Sequence, residues 1–139
     1  MGKITGIGGI FFKCKNPAGM RTWYQQHLGL NSDEYGANFQ WRKDENPQEK
    51  GYTLLSMFDE NTDYFGENRQ TYMINFRVEN METLVEKLKA SGVAVLDEIA
   101  QYEYGKFVHI ADEEGNKIEL WEPADDEYEK MIGDNVNRT

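Results

Sequence analysis

Two stretches of the chain alternate apolar and polar positions with a period of two, the mark of a strand with one buried face. In GIFFKCKN (9–16), Ile10, Phe12 and Cys14 share one face, and Gly9, Phe11 and Lys13 share the other. In MINFRVEN (73–80), Ile74, Phe76 and Val78 oppose Met73, Asn75 and Arg77. A helix is expected after each. Asn16 stands as an N-cap with Pro17 at the first helical position, where its missing N–H costs nothing, and Asn80 takes the same place before METLVEKLKAS. In that second segment Met81, Leu84, Val85 and Leu88 recur at helical spacing. Gly29 and Gly92 sit where a left-handed terminator belongs.

The two stretches are also similar to each other. With 9–16 laid over 73–80, Ile10 meets Ile74, Phe12 meets Phe76, Lys13 meets Arg77 and Asn16 meets Asn80. With the offset one residue shorter, Gly29 falls on Gly92 and Ser56 on Glu119. Strand, cap, helix and terminating glycine therefore recur as one unit, and three short strands are expected to complete each copy. In the first copy these lie at 30–34, 38–42 and 52–58, and in the second at 93–102, 106–111 and 117–121. The reading is one domain over 1–124, with module one at 3–58, an acidic linker at 59–69 and module two at 70–124. The tail, 125–139, is expected to start as a short amphipathic helix and to end frayed.

Composition narrows the class. Lys and Arg number 15 against 25 Asp and Glu, a net charge of −10, which disfavours a nucleic acid partner because phosphate binding needs basic patches. Aromatic residues make up 13% and hydrophobic residues 39%, too many for a disordered chain. No apolar run has the length of a membrane span or the form of a signal peptide, and Cys14 is the only cysteine, so a cytoplasmic protein is expected.

Two segments carry a family resemblance. WYQQHLGL (23–30) and DEEGNKIELWEP (112–123), set within the repeat, resemble the glyoxalase/bleomycin-resistance/dioxygenase family, also called the vicinal oxygen chelate superfamily. The resemblance spans roughly residues 4–123, with Glu113 standing where the family usually has proline. It implies an α+β fold: two βαβββ modules forming an eight-stranded, curved mixed sheet, a half-barrel, with the helices on its convex face. Ile10, Phe12, Ile74, Phe76, Val78, Val108, Ile110, Ile118 and Leu120 would then face the helices. Phe11, Lys13, Ser56, Phe58, Asn75, Arg77, Phe107, His109, Glu119 and Trp121 would line the concave face as a small-molecule site.

The family's metal ligands fall on Gly9, Ser56, Met73 and Glu119, and this set holds one carboxylate where a catalytic metal needs about three good donors. No metal or other cofactor is expected. Glu119 itself keeps three readings: a salt bridge to Arg77 or Lys13, a contact for a cationic or hydroxyl-bearing ligand, or a general base, with His109 as acid. Two functions follow. One is a metal-independent binder of the bleomycin-resistance kind, taking an aromatic or cationic ligand; the other is a glyoxalase-related lyase or isomerase using Glu119. The resemblance also implies a homodimer.

Overall fold

Both strand–helix units form, and they join edge to edge within one chain. The computed structural model describes residues 1–66 and 69–138; residues 67 and 68 of the expected linker and residue 139 of the tail lie outside the described residues. The elements run β1 (Lys3–Cys14), α1 (Pro17–Leu28), β2 (Ala37–Arg42), β3 (Lys50–Asp59), β4 (Tyr72–Glu79), α2 (Met81–Ala90), β5 (Ala100–Tyr102), β6 (Gly105–Ala111), β7 (Lys117–Pro123) and α3 (Asp125–Ile132). The sheet order is β2-β3-β1-β4-β7-β6-β5, open at both edges. β1 pairs parallel with β3, β4 pairs parallel with β7, and the antiparallel β1–β4 pair joins the modules.

The architecture is the expected α+β half-barrel, with seven strands among the described residues in place of eight. Residues 30–34 form only an isolated bridge between Asp33 and Gly36. Asn31, Ser32 and Asp33 favour turns over a ladder. Asn31 also gives its backbone N–H to Asn137 Oδ1, 2.9 Å away, and its Nδ2 to the Asp134 carbonyl at 3.1 Å. Residues 93–102 shrink to the three residues of β5 and a bridge from Val95 to Ile110.

The caps differ between the copies. Asn16 Oδ1 accepts the Gly19 N–H at 3.0 Å and Gly29 closes α1 at φ 67°. Asn80 instead adopts φ 53° and makes no side-chain cap bond; the first free N–H of α2, from Met81, goes to Glu122 Oε1 of β7 at 2.7 Å. The capping oxygen comes from across the sheet because Asn80 turns into the left-handed region, which asparagine tolerates.

On the convex face, α2 buries Met81 and Val85 against Val78, Val108 and Leu120, with Phe76, Ile110 and Ile118 around them. Ile10, expected in this core, is 44% exposed. It stays on the convex side, opposite Ile74, and the bulges upstream of it, between Ile4 and Gly6 and between Ile7 and Gly9, bring Ile4 and Ile7 into the same stripe. α1 lies toward β3 and buries none of its own residues, so it leaves that stripe open. The tail is not frayed over its described length. Asn137 donates its backbone N–H to the Asn38 carbonyl at 2.7 Å and its Nδ2 to the Asn31 carbonyl at 2.8 Å, fastening the chain end to β2.

Candidate functional site

The concave face is built from two rows of side chains that cross the sheet. In the first, Asn75 of β4, Glu119 of β7 and His109 of β6 are direct cross-strand partners. In the second, Arg77, Trp121 and Phe107 are partners in the same strands. Two residues separate the rows, about 7 Å along a strand. Gly8 of β1 lies against both. A Cβ there would come within 2.2 Å of Asn75 Oδ1 and 3.0 Å of both Arg77 Cγ and the Trp121 ring, so only glycine lets the rows sit flat on β1.

Glu119 is 2% exposed and every neighbour that reaches it donates. Asn75 Nδ2 lies 2.7 Å from Oε1, His109 Nε2 lies 2.7 Å from Oε2, and the Tyr64 hydroxyl donates to the same Oε2. Holding the Asn75 amide toward the carboxylate leaves its Oδ1 buried without a partner among the described residues, a cost that a carboxylate acceptor offsets. The other ring nitrogen of His109, Nδ1, is 2.6 Å from Asp97 Oδ2, and the His109 backbone N–H donates to Asp97 Oδ1 at 2.7 Å. Burial works against a charged imidazole, but the hydrogen bonds to Glu119 and Asp97 outweigh it, and the pKa of His109 is raised above its ordinary 6.5. The Tyr64 phenol is pushed well up, by burial first and then by the Glu119 charge and hydrogen bond, so it acts as a donor only. The result is a chain, Asp97–His109–Glu119, running from a half-exposed rim carboxylate to a fully buried one.

Arg77 does not reach this chain. Its guanidinium pairs with Asp125 Oδ2 at 2.6 Å and lies 4.9 Å and 5.5 Å from the ring centroids of Trp41 and Trp121. Glu119 therefore has His109 as its cationic partner, in place of the Arg77 or Lys13 pairing that the sequence allowed. Lys13 lies 5.4 Å over the Phe65 ring. Ser56 is buried and donates its hydroxyl to the Tyr35 carbonyl at 2.9 Å. Phe11 and Phe58 pack with Phe65 and Met73 beside the Glu119 row, and Phe107 stacks on Trp121 at 5.7 Å.

Two segments outside the repeat cover the concave face. α3 places Tyr128 on Tyr52 and Trp121, with ring centroids 5.6 Å and 5.1 Å apart, and presents Asp125 to Arg77. The 59–66 part of the linker buries Phe65 completely and lays Tyr64 over Glu119. Clefts of about 370 Å³ and 770 Å³ open at the Asp125 end, and neither is bordered by Glu119.

Tyr64, Asp97 and Asp125 are site residues that the strand pattern alone does not reveal. Tyr64 and Phe65 carried one signal, a pair of aromatics inside an otherwise acidic run, which is a poor composition for solvated linker.

The family's metal positions do not form a donor set here. Gly9 has no side chain, Ser56 is committed to Tyr35, Met73 is buried among aromatic rings, and Glu119 is ringed by donors. Among the described residues, no group of three or more His, Cys, Asp or Glu side chains is placed to hold a metal ion.

Comparison with known proteins gives the fold a family. The model of the Glyoxalase/Bleomycin resistance protein/Dioxygenase superfamily matches residues 6–120. Curated protein sequences give no significant match. Among solved structures, methylmalonyl-CoA epimerase of Streptomyces coelicolor in complex with 2-nitronate-propionyl-CoA is 17% identical, with a TM-score of 0.63 over 88% of this chain and 99% of that one. Methylmalonyl-CoA epimerase of Mycobacterium tuberculosis is 19% identical, with a TM-score of 0.58 over 87% and 89% of the two chains. A hypothetical protein from Bacillus halodurans is 13% identical, with a TM-score of 0.55 over 87% and 94%. At these identities the likeness is one of fold.

Proposed function

The chain belongs to the Glyoxalase/Bleomycin resistance protein/Dioxygenase superfamily, and from that premise we propose that it is a glyoxalase-related isomerase or lyase that moves a proton on a small molecule without a metal. The observation that carries this reading is the buried Glu119 carboxylate held by three donors, one of them an imidazole tied to Asp97. Glu119 takes a proton from a carbon next to a carbonyl, and the electron pair of the broken C–H bond becomes an enolate. Negative charge thereby leaves Glu119 and appears on the enolate oxygen. The His109 N–H no longer faces a carboxylate and turns to that oxygen, doing by a hydrogen bond what a Lewis acid does elsewhere in the family. Return of the proton to the opposite face of the same carbon inverts it; where that carbon carries a hydroxyl, return to the former carbonyl carbon, with loss of the hydroxyl proton, moves the carbonyl, and either outcome is an isomerisation. The epimerases among the structural neighbours, which are isomerases, support this class.

The experiment is deuterium wash-in. Protein kept in chelator and D₂O is incubated with a panel of carbon acids, a glutathione hemithioacetal and methylmalonyl-CoA among them, and carbon-bound deuterium is read by NMR. Exchange above the buffer rate supports the reading. Exchange that needs added metal contradicts it.

Sequestration without chemistry is the second reading, and one observation favours it: Tyr64 and Phe65 already close the face over Glu119, as a retained ligand would require. A homodimer belongs to either reading, because the Ile4, Ile7 and Ile10 stripe is an uncovered apolar band on the convex side that a second copy would bury. A monomer in sedimentation at micromolar concentration would remove it. A cytoplasmic setting is inferred from the single cysteine.

A further inference from the structure

We infer that the slot filled by Tyr64 is a binding site for a planar hydroxyaromatic molecule, which enters by displacing that one side chain. This rests on the reading of the Glu119 face as the ligand site, and it names the ligand's chemistry.

The protein's own phenol shows what the slot recognises. The Tyr64 ring lies parallel to Phe58, with interplanar angle 2° and centroids 5.6 Å apart, and meets His109 edge-on at 5.3 Å and 88°. Lys117 Nζ sits 5.3 Å over the ring, and the hydroxyl donates to Glu119 Oε2. Flat walls, a cation at the π-face and a carboxylate at the inner end select an electron-rich ring that carries a hydroxyl donor. A ring without the hydroxyl leaves Glu119 short of a donor in a buried setting, and a second anion meets a carboxylate already there.

Displacement is local. Phe65, not Tyr64, anchors the segment: Phe65 is fully buried with Phe11 and Met73, whereas 36% of Tyr64 is exposed. The Tyr64 backbone is held separately, its carbonyl accepting from Lys117 Nζ at 2.7 Å and its N–H donating to Thr62 Oγ1 at 3.3 Å. Rotation of the Tyr64 side chain toward solvent vacates the slot while Phe65 and the backbone stay in place. Such rotamer changes in partly exposed residues are fast and common on binding.

The test uses p-cresol and toluene, which match in shape and differ by the hydroxyl, with the full chain in calorimetric and thermal-shift titrations. Tyr64→Ala should bind p-cresol roughly tenfold or more tightly than toluene, the effect of one buried hydrogen bond to a charged acceptor. Wild type should bind p-cresol measurably but more weakly than Tyr64→Ala, because Tyr64 competes. Tyr64→Phe, which keeps the ring and should fold in any case, should lie between them. The preference for p-cresol should shrink in Tyr64→Ala/Glu119→Gln, where a neutral amide oxygen replaces the charged acceptor. Equal affinity for the two compounds, equal p-cresol affinity in wild type and both Tyr64 variants, or binding to the variants with none to wild type would each overturn the proposal. p-Cresol binding with no carbon-acid exchange would remove only the proton-transfer reading, and exchange without p-cresol binding would remove only the slot.

Discussion

Glu119→Gln is expected to lower deuterium exchange at least about 100-fold, the usual contribution of a positioned general base. Glutamine fills the same space but keeps one acceptor oxygen, so it can accept from Asn75 or from Tyr64 and not from both, and its amide cannot take the substrate proton. His109 keeps Asp97 as a partner, so the variant should stay folded with a stability loss of about 1–3 kcal/mol for the weakened buried hydrogen bonds. Urea denaturation and the exchange assay on one preparation separate the two effects. Exchange within a fewfold of wild type in a folded Glu119→Gln protein would transfer the chemistry to another residue. Arg77→Met should not rescue any loss, since Arg77 and Glu119 share no contact.

Arg77→Met carries the largest expected stability effect. Its guanidinium is nearly fully buried between two indoles, and Asp125 Oδ2 accepts from it while Asp125 Oδ1 has no hydrogen bond among the described residues. Removing the cation leaves that carboxylate with Lys43 alone, 3.2 Å away on a partly exposed side chain. A loss of about 2–4 kcal/mol follows from stranding one member of a largely buried pair. It should appear as a drop of roughly 5–15 °C in melting temperature for a domain of this size. α3 should loosen first, because Asp125 is its first residue. The double variant Arg77→Met/Asp125→Asn should recover a good part of the loss, as cycles on contacting charges do. A loss below about 0.5 kcal/mol, or strictly additive single effects, would mean that Arg77 is held by its ring contacts alone.

The sequence carried the repeat, the α1 capping residues and the concave face, because each depends on spacing within a few residues. Alternation in MINFRVEN and KIELWEP is enough to put Asn75, Arg77, Glu119 and Trp121 on one side of the sheet. It cannot say which of them touch. The cross-strand register places Glu119 beside Asn75 and His109 and leaves Arg77 a row away, and register follows from turn geometry and core packing together. Asn80 shows the same limit on a smaller scale: its position is right for a cap, but the oxygen that serves α2 comes from Glu122, 41 residues away. Ile10 lies on the face that alternation assigns it, opposite Ile74, but alternation cannot say that α1 leaves that stretch of the face uncovered. Tyr64, Asp97 and Asp125 belong to a linker, a loop and the tail, where no periodicity exists to be read, so only three-dimensional packing reveals their part in the site.

The most direct test of this account is the titration of His109, followed by ¹⁵N NMR of the imidazole ring in wild type, Glu119→Gln and Asp97→Asn. If His109 is the charged donor between two carboxylates, both its ring nitrogens carry protons at pH 6.5 and its midpoint lies above that value. Each substitution removes one of the hydrogen bonds that favour the charged form, so each should lower the midpoint, and Glu119→Gln should lower it more because that contact is the more deeply buried. A wild-type midpoint at or below 6.5, unchanged in both variants, would contradict the charged Asp97–His109–Glu119 chain and with it the proposed proton transfer.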